Sequence, residues 1–137
     1  MAFDLARLTY TPDMRSVPPV HARLVCAMRY THVARRADSY THANLAQYLG
    51  SKCAVRSFHV FMDETGRAWP DPIGLHTPCQ PEFSYDEMLL VDLATAAARN
   101  ERDRFDHFVR DMIGESGRNA IWQAARRMMR HLVTVVQ

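Results

Sequence analysis

Apolar residues recur every three or four positions along most of the chain, the spacing that places side chains on one face of a helix. The first such segment spans residues 19–36. Ser16, Pro18 and Pro19 precede it, and proline in a first turn removes no hydrogen bond the helix would have made. Val20, Leu24, Ala27 and Met28 line one face, with Val25 and Cys26 widening the stripe. After a break at residues 37–39 a short helix is expected over 40–49, ended by Gly50, which can take the left-handed cap conformation. Ser51 can then cap a third helix over residues 52–65. There Val55, Phe58, Phe61 and Met62 fit a period of 3.6 better than alternation, and Gly66 is expected to close the helix; a strand is the competing reading.

The second half repeats the pattern after an interruption. Residues 66–83 hold four of the seven prolines and two of the five glycines, which rules out a helix or a central strand and predicts a long loop held by Trp69, Ile73 and Leu75. Ser84, Tyr85, Asp86 and Glu87 then form a capping box, in which the serine hydroxyl and the glutamate three residues on satisfy the first orphan amides of a helix. The fourth helix follows over residues 85–99, carrying Met88, Leu89, Val91, Leu93, Ala94 and Ala97 inward. Asn100 is placed to cap a fifth, with Phe105, Phe108, Val109 and Met112 toward the core and Gly114 at its end; Ser116 starts a sixth that reaches Val136. The sum is an all-α, compact bundle of five to six helices spanning residues 17–137 as one domain, with residues 1–16 as an N-terminal arm.

Composition narrows the class. With 47% hydrophobic and 23% charged residues the chain matches soluble globular averages, which argues against disorder, and its apolar runs are interrupted by charge well before the roughly 18 residues a membrane helix needs. Seventeen basic against fifteen acidic side chains make nucleic acid an unlikely partner. Residues 1–68 carry nine basic and five acidic groups, the remainder eight and ten, so the slight positive excess lies in the first half. Cys26, Cys53 and Cys79 are odd in number, show no CxxC spacing and follow no secretion leader, so free thiols and a cytoplasmic location are expected.

Candidate chemistry is sparse. Ala46 and Gly50 have the spacing of a helix-turn-helix corner, yet Ser51, Arg56 and His59 fall where its second helix needs apolar packing, and only Lys52 and Arg56 supply charge; a DNA-binding regulator built on the second and third helices is therefore a minor alternative. His76 and Cys79 form a His-x-x-Cys pair that could take zinc if Cys53 and His59 on the third helix completed a set of four, which makes a metal- or small-ligand-binding loop the second alternative. No catalytic signature is present, Cys26 reads as a small core residue, and Asp86 and Glu87 are accounted for by capping.

The sixth helix carries Arg118, Arg126, Arg127, Arg130 and His131 without acids among them, for which the acids of the fifth helix are intramolecular counterparts. Trp122, Met129 and Val136 broaden its apolar side beyond one stripe, as expected of a helix that is central to the core or shared with a second subunit. The favoured expectation is thus a non-enzymatic interaction module, without cofactor, acting as a homodimer or on a protein partner through Trp122, Met129, Val136 or the Trp69 loop.

The stretch from Cys79 to Ser116, CQPEFSYDEMLLVDLATAAARNERDRFDHFVRDMIGES, resembles the C-terminal part of a small family of bacterial proteins with no assigned activity, in which a cysteine-proline loop leads to an acidic capped helix and two further helices. The likeness extends over about residues 20 to 135, although only Cys79 represents the family's cysteine-rich loop. It implies an all-α bacterial cytoplasmic protein and transfers no functional residue.

Overall fold

Six helices form among the described residues, 11–38 and 42–136, of the computed structural model: α1 (Pro19–Arg36), α2 (His42–Leu49), α3 (Lys52–Ala68), α4 (Tyr85–Ala98), α5 (Arg102–Val109) and α6 (Glu115–Val136). They make the all-α compact bundle that the periodicity predicts. The expected start of α2 at residue 40 and most of the N-terminal arm lie outside the described residues. The most extensive helix pairing sets α6 against α3, and α6 also packs on α4, so the longest helix is the central one. A single cluster of buried side chains draws on all six helices and on Trp69 and Phe83 at the two ends of the loop.

The local chemistry at the helix ends explains where they stop. Gly50 takes φ 96, a left-handed value that costs a residue with a Cβ, and its amide donates to the Ala46 carbonyl. Ser51 then caps α3, its hydroxyl accepting from the Ala54 amide at 3.1 Å. Ser84 and Glu87 form the expected capping box at the head of α4.

Two expectations need correction. Gly66 does not close α3; the helix runs through it to Ala68, and buried Thr65 keeps its hydroxyl satisfied by bonding back to Phe61 and Met62. Asn100 does not cap α5 but ends α4. It adopts φ 58, its amide donates to Ala97 and that of Glu101 to Ala96, the two bonds of a Schellman motif. A guanidinium nitrogen of Arg126 adds bonds to the Ala97 carbonyl and the Asn100 side chain, tying this corner to α6.

The segment between α3 and α4 has no helix or strand, yet it is laced at both edges. On one side residues 12–14 run antiparallel to it, with the Met14 amide donating to Pro81 at 2.7 Å and that of Phe83 to Pro12 at 2.9 Å. Its other edge is fixed by α1 and α4.

Candidate docking groove

Arg29, on the inward face of α1, and Glu87, in the first turn of α4, are 1% and 0% exposed. Their contact is bidentate: Arg29 Nε donates to Glu87 Oε2 at 2.8 Å and Nη2 to Oε1 at 2.9 Å. The same guanidinium donates from Nη1 to the Gln80 carbonyl at 2.7 Å and from Nη2 to that of Glu82 at 2.9 Å. Glu87 completes its own coordination by accepting from the Ser84 amide at 2.8 Å and the His76 amide at 3.2 Å. Each carboxylate oxygen thus accepts two hydrogen bonds, about the capacity of a carboxylate. A buried pair gains over desolvation only when its remaining donors and acceptors are satisfied in this way. The product is a loop held in one place, because Arg29 binds two of its carbonyls and Glu87 two amides. Ser84 Oγ donating to Gly74 and the Gly74 amide donating to Asp86 fasten the middle of the loop to the head of α4.

The clamped loop forms the third wall of an open groove of about 390 Å³ whose other walls are α1 and α3. Its floor is apolar and formed chiefly by Met28, Phe58 and Met62, with Ile73 and Leu75 facing them from the loop. Met28 and Phe58 are buried, whereas Met62, Ile73 and Leu75 remain partly accessible. The rim carries two arginines and two histidines. His32, Arg35 and Arg36 come from the last turns of α1 and His59 from α3, with Asp63 the one acid among the described lining residues. Arg35 Nη2 lies 3.2 Å from His59 Nδ1, so the two rim groups touch across the groove. Gly66 sits on the α3 wall, and a Cβ built there would meet nothing within 4 Å. Glycine inside a helix costs about 0.5–1 kcal/mol relative to alanine, and here it leaves the wall open.

The residues expected to bind metal are not brought together. Cys53 and Cys79 are exposed free thiols, His59 belongs to the groove, and His76 uses its backbone amide on Glu87. No group of three or more His, Cys, Asp or Glu among the described residues is arranged to hold a metal ion. Trp122 and Met129 have partners inside the chain, being 7% and 4% exposed. Trp122 meets Phe105 edge-on with centroids 5.1 Å apart and stacks under the guanidinium groups of Arg102 and Arg126. Trp69 is 8% exposed and anchors the loop instead of presenting a surface. The side chain of Val136 lies outside those described. Of the cations on α6, Arg118 and Arg126 are likewise engaged, Arg118 with Asp106 and the Ile113 carbonyl.

Two further titratable groups lie away from the groove. Burial pushes the Cys26 thiol above its ordinary pKa, an effect that Glu87 reinforces and Arg29 partly offsets, and a thiol so shifted is a poor nucleophile. His21, on α1, contacts the Thr95 hydroxyl at 3.1 Å.

Arg29 and the groove were not apparent in the sequence pattern. Met28 and Met62 read as ordinary members of apolar stripes, and only the closeness of His32, Arg35 and Arg36 to Met28 on one helix hinted at a charged edge over an apolar surface. No protein-family model, curated protein or solved structure gives a significant match to this chain. No helix among the described residues is long and apolar enough to cross a membrane.

Proposed function

We propose that the protein is a non-enzymatic docking module that receives a segment of a protein partner in the groove between α1, α3 and the clamped loop. The observation that carries this reading is the combination of a partly accessible apolar surface, made of Met62, Ile73 and Leu75, with a wall, the loop, fixed by a buried, hydrogen-bonded ion pair. Such a wall is preorganised, so little ordering entropy is lost on binding. Met62 on the floor, flexible and partly accessible, suits a surface that must adapt to a partner's side chains. A groove open to solvent along its rim suits a peptide better than a small molecule, whose pocket normally encloses most of its surface. Self-association through α6, the other expected route, loses support because Trp122 and Met129 are covered by the chain itself.

A peptide-display selection on the full chain, counter-screened on Gly66→Leu, tests the reading. Leucine is a good helix former and projects into the groove, so the variant should keep its helical circular dichroism and melting temperature while losing the selected peptides. Peptides that bind both proteins equally, or a selection that enriches none, would show that the groove is not a docking site.

A further inference from the structure

A different face of α1 lines a second and smaller cavity, of about 210 Å³. Cys26, Tyr30 and Val33 follow one another there at helical spacing, so a single face of α1 forms one wall. Tyr48, in the last turn of α2, and Pro78 of the loop supply the other two. All five side chains keep accessible surface. Val33 and Tyr48, 44% and 36% exposed, are two of the four large apolar side chains that the described residues leave in solvent, and both border this one cavity. The Tyr30 and Tyr48 rings lie 5.8 Å apart between centroids and are inclined at 42°, between the stacked and edge-on arrangements that aromatic pairs favour. The wall that carries Pro78 is held on both sides of it. Glu87 accepts from the His76 amide, Arg29 donates to the Gln80 carbonyl, and the Gln80 amide closes a turn on the Thr77 carbonyl at 3.1 Å.

Nothing in this cavity selects a charge. Arg29 is the one ionised group among the described lining residues; it is 1% exposed and directs its donors to Glu87, Gln80 and Glu82. An apolar cavity of about 150 Å³ takes a benzene ring, so the space here suits one ring or two fused ones. We infer that the cavity is a binding site for a small neutral aromatic molecule, seated against the Tyr30 and Tyr48 rings and between Val33 and Pro78. The site shares no accessible side chain with the docking groove, and the inference stands apart from the docking reading.

The test uses three probes of one size: 2-naphthol, its saturated counterpart decahydro-2-naphthol, and 2-naphthoate. Each is titrated into full-length protein while the ring signals of Tyr30 and Tyr48 are followed by NMR. Naphthol is expected to shift both rings saturably and to bind about tenfold more tightly than either of the other two. Bound naphthol should also slow the labelling of Cys26 by iodoacetamide, read by mass spectrometry, while the exposed thiols of Cys53 and Cys79 react as before. Tyr48→Ala and Val33→Glu change exposed side chains, so both should keep the helical circular dichroism, and each should weaken naphthol by about tenfold or more. Gly66→Leu, which fills the docking groove, should bind naphthol unchanged. Unmoved tyrosine rings, or Cys26 labelled at the same rate with and without naphthol, would remove the site. Equal binding of naphthol and its saturated counterpart would overturn the aromatic assignment, and tighter binding of naphthoate would overturn the neutral one. Loss of naphthol in Gly66→Leu, with full binding in Tyr48→Ala, would place the probe in the docking groove and overturn the inference.

Discussion

The Arg29 guanidinium and the Glu87 carboxylate meet face to face in the interior, at 2.8 and 2.9 Å, and between them they also bind the backbone of residues 76, 80, 82 and 84. Glu87 therefore has two roles that are usually separate. It closes the capping box of α4 and is the counter-ion of a buried arginine from α1.

Removing one partner leaves the other charge buried and uncompensated. Glu87→Ala is expected to lower stability by about 3–5 kcal/mol, read as a shift in the urea midpoint at unchanged m. Amide hydrogen exchange at His76 and Ser84 should accelerate beyond the rest of the chain, since their acceptor is gone. A loss below about 1 kcal/mol, with loop exchange unchanged, would mean that the clamp does not hold the loop.

Two helical glycines should respond in opposite directions to the same substitution. Gly66→Ala adds a methyl group in open space and should raise stability by about 0.5–1 kcal/mol. Gly117→Ala places a Cβ 2.9 Å from Ile113 Cγ2 and 3.3 Å from Ala68 Cβ, where the start of α6 meets the end of α3, and should lower it by about 1–3 kcal/mol. Parallel thermal melts decide the matter, and a destabilised Gly66→Ala would show that the α3 wall is not as open as described.

Stability should depend on pH through His21 and Asp92. Burial, then the charge of Arg99, hold His21 below its ordinary pKa. The unfolded chain then takes up a proton that the folded chain refuses, so the stability present above about pH 6.5 declines as the pH falls below it. Burial raises the pKa of Asp92, with Arg104 opposing. The folded state therefore holds that proton to higher pH than the unfolded chain, so ionised Asp92 opposes folding at neutral pH and the penalty disappears in acid. Asp92→Asn should raise the melting temperature at neutral pH by an amount that shrinks on acidification, and His21→Gln should flatten the decline between neutral and mildly acidic pH. Parallel pH profiles of both variants and the unmodified protein would remove these assignments.

How much of this was legible in the sequence follows from the range of each interaction. The capping box of Ser84 and Glu87 is contained in four residues, and the end of α2 depends on Gly50 alone, so both could be read directly. The partner of Arg29 is 58 residues away, and an arginine in a helix looks like a solvated one until the fold turns it inward. Gly66 misled for a similar reason: a helix-ending residue type was carried along by buried Thr65 before it and by Ala68 and Trp69 packing beyond it. Trp122 and Met129 widened the apolar side of α6 because that helix meets both α3 and α4, a central position that one-dimensional periodicity does not distinguish from a subunit interface. The groove needed three separate segments to be assembled before it existed.

The separation of Arg29 from Glu87 also bears on how the chain is made. At synthesis rates of about 5–20 residues per second, an interval of roughly 3–12 s divides the two residues at the ribosome. Throughout it α1 carries a cation destined for the interior with no carboxylate yet in existence to receive it. The buried pair, and with it the clamp on the loop, cannot form until α4 has emerged. Fixing of the loop is thereby postponed to the second half of the chain's synthesis.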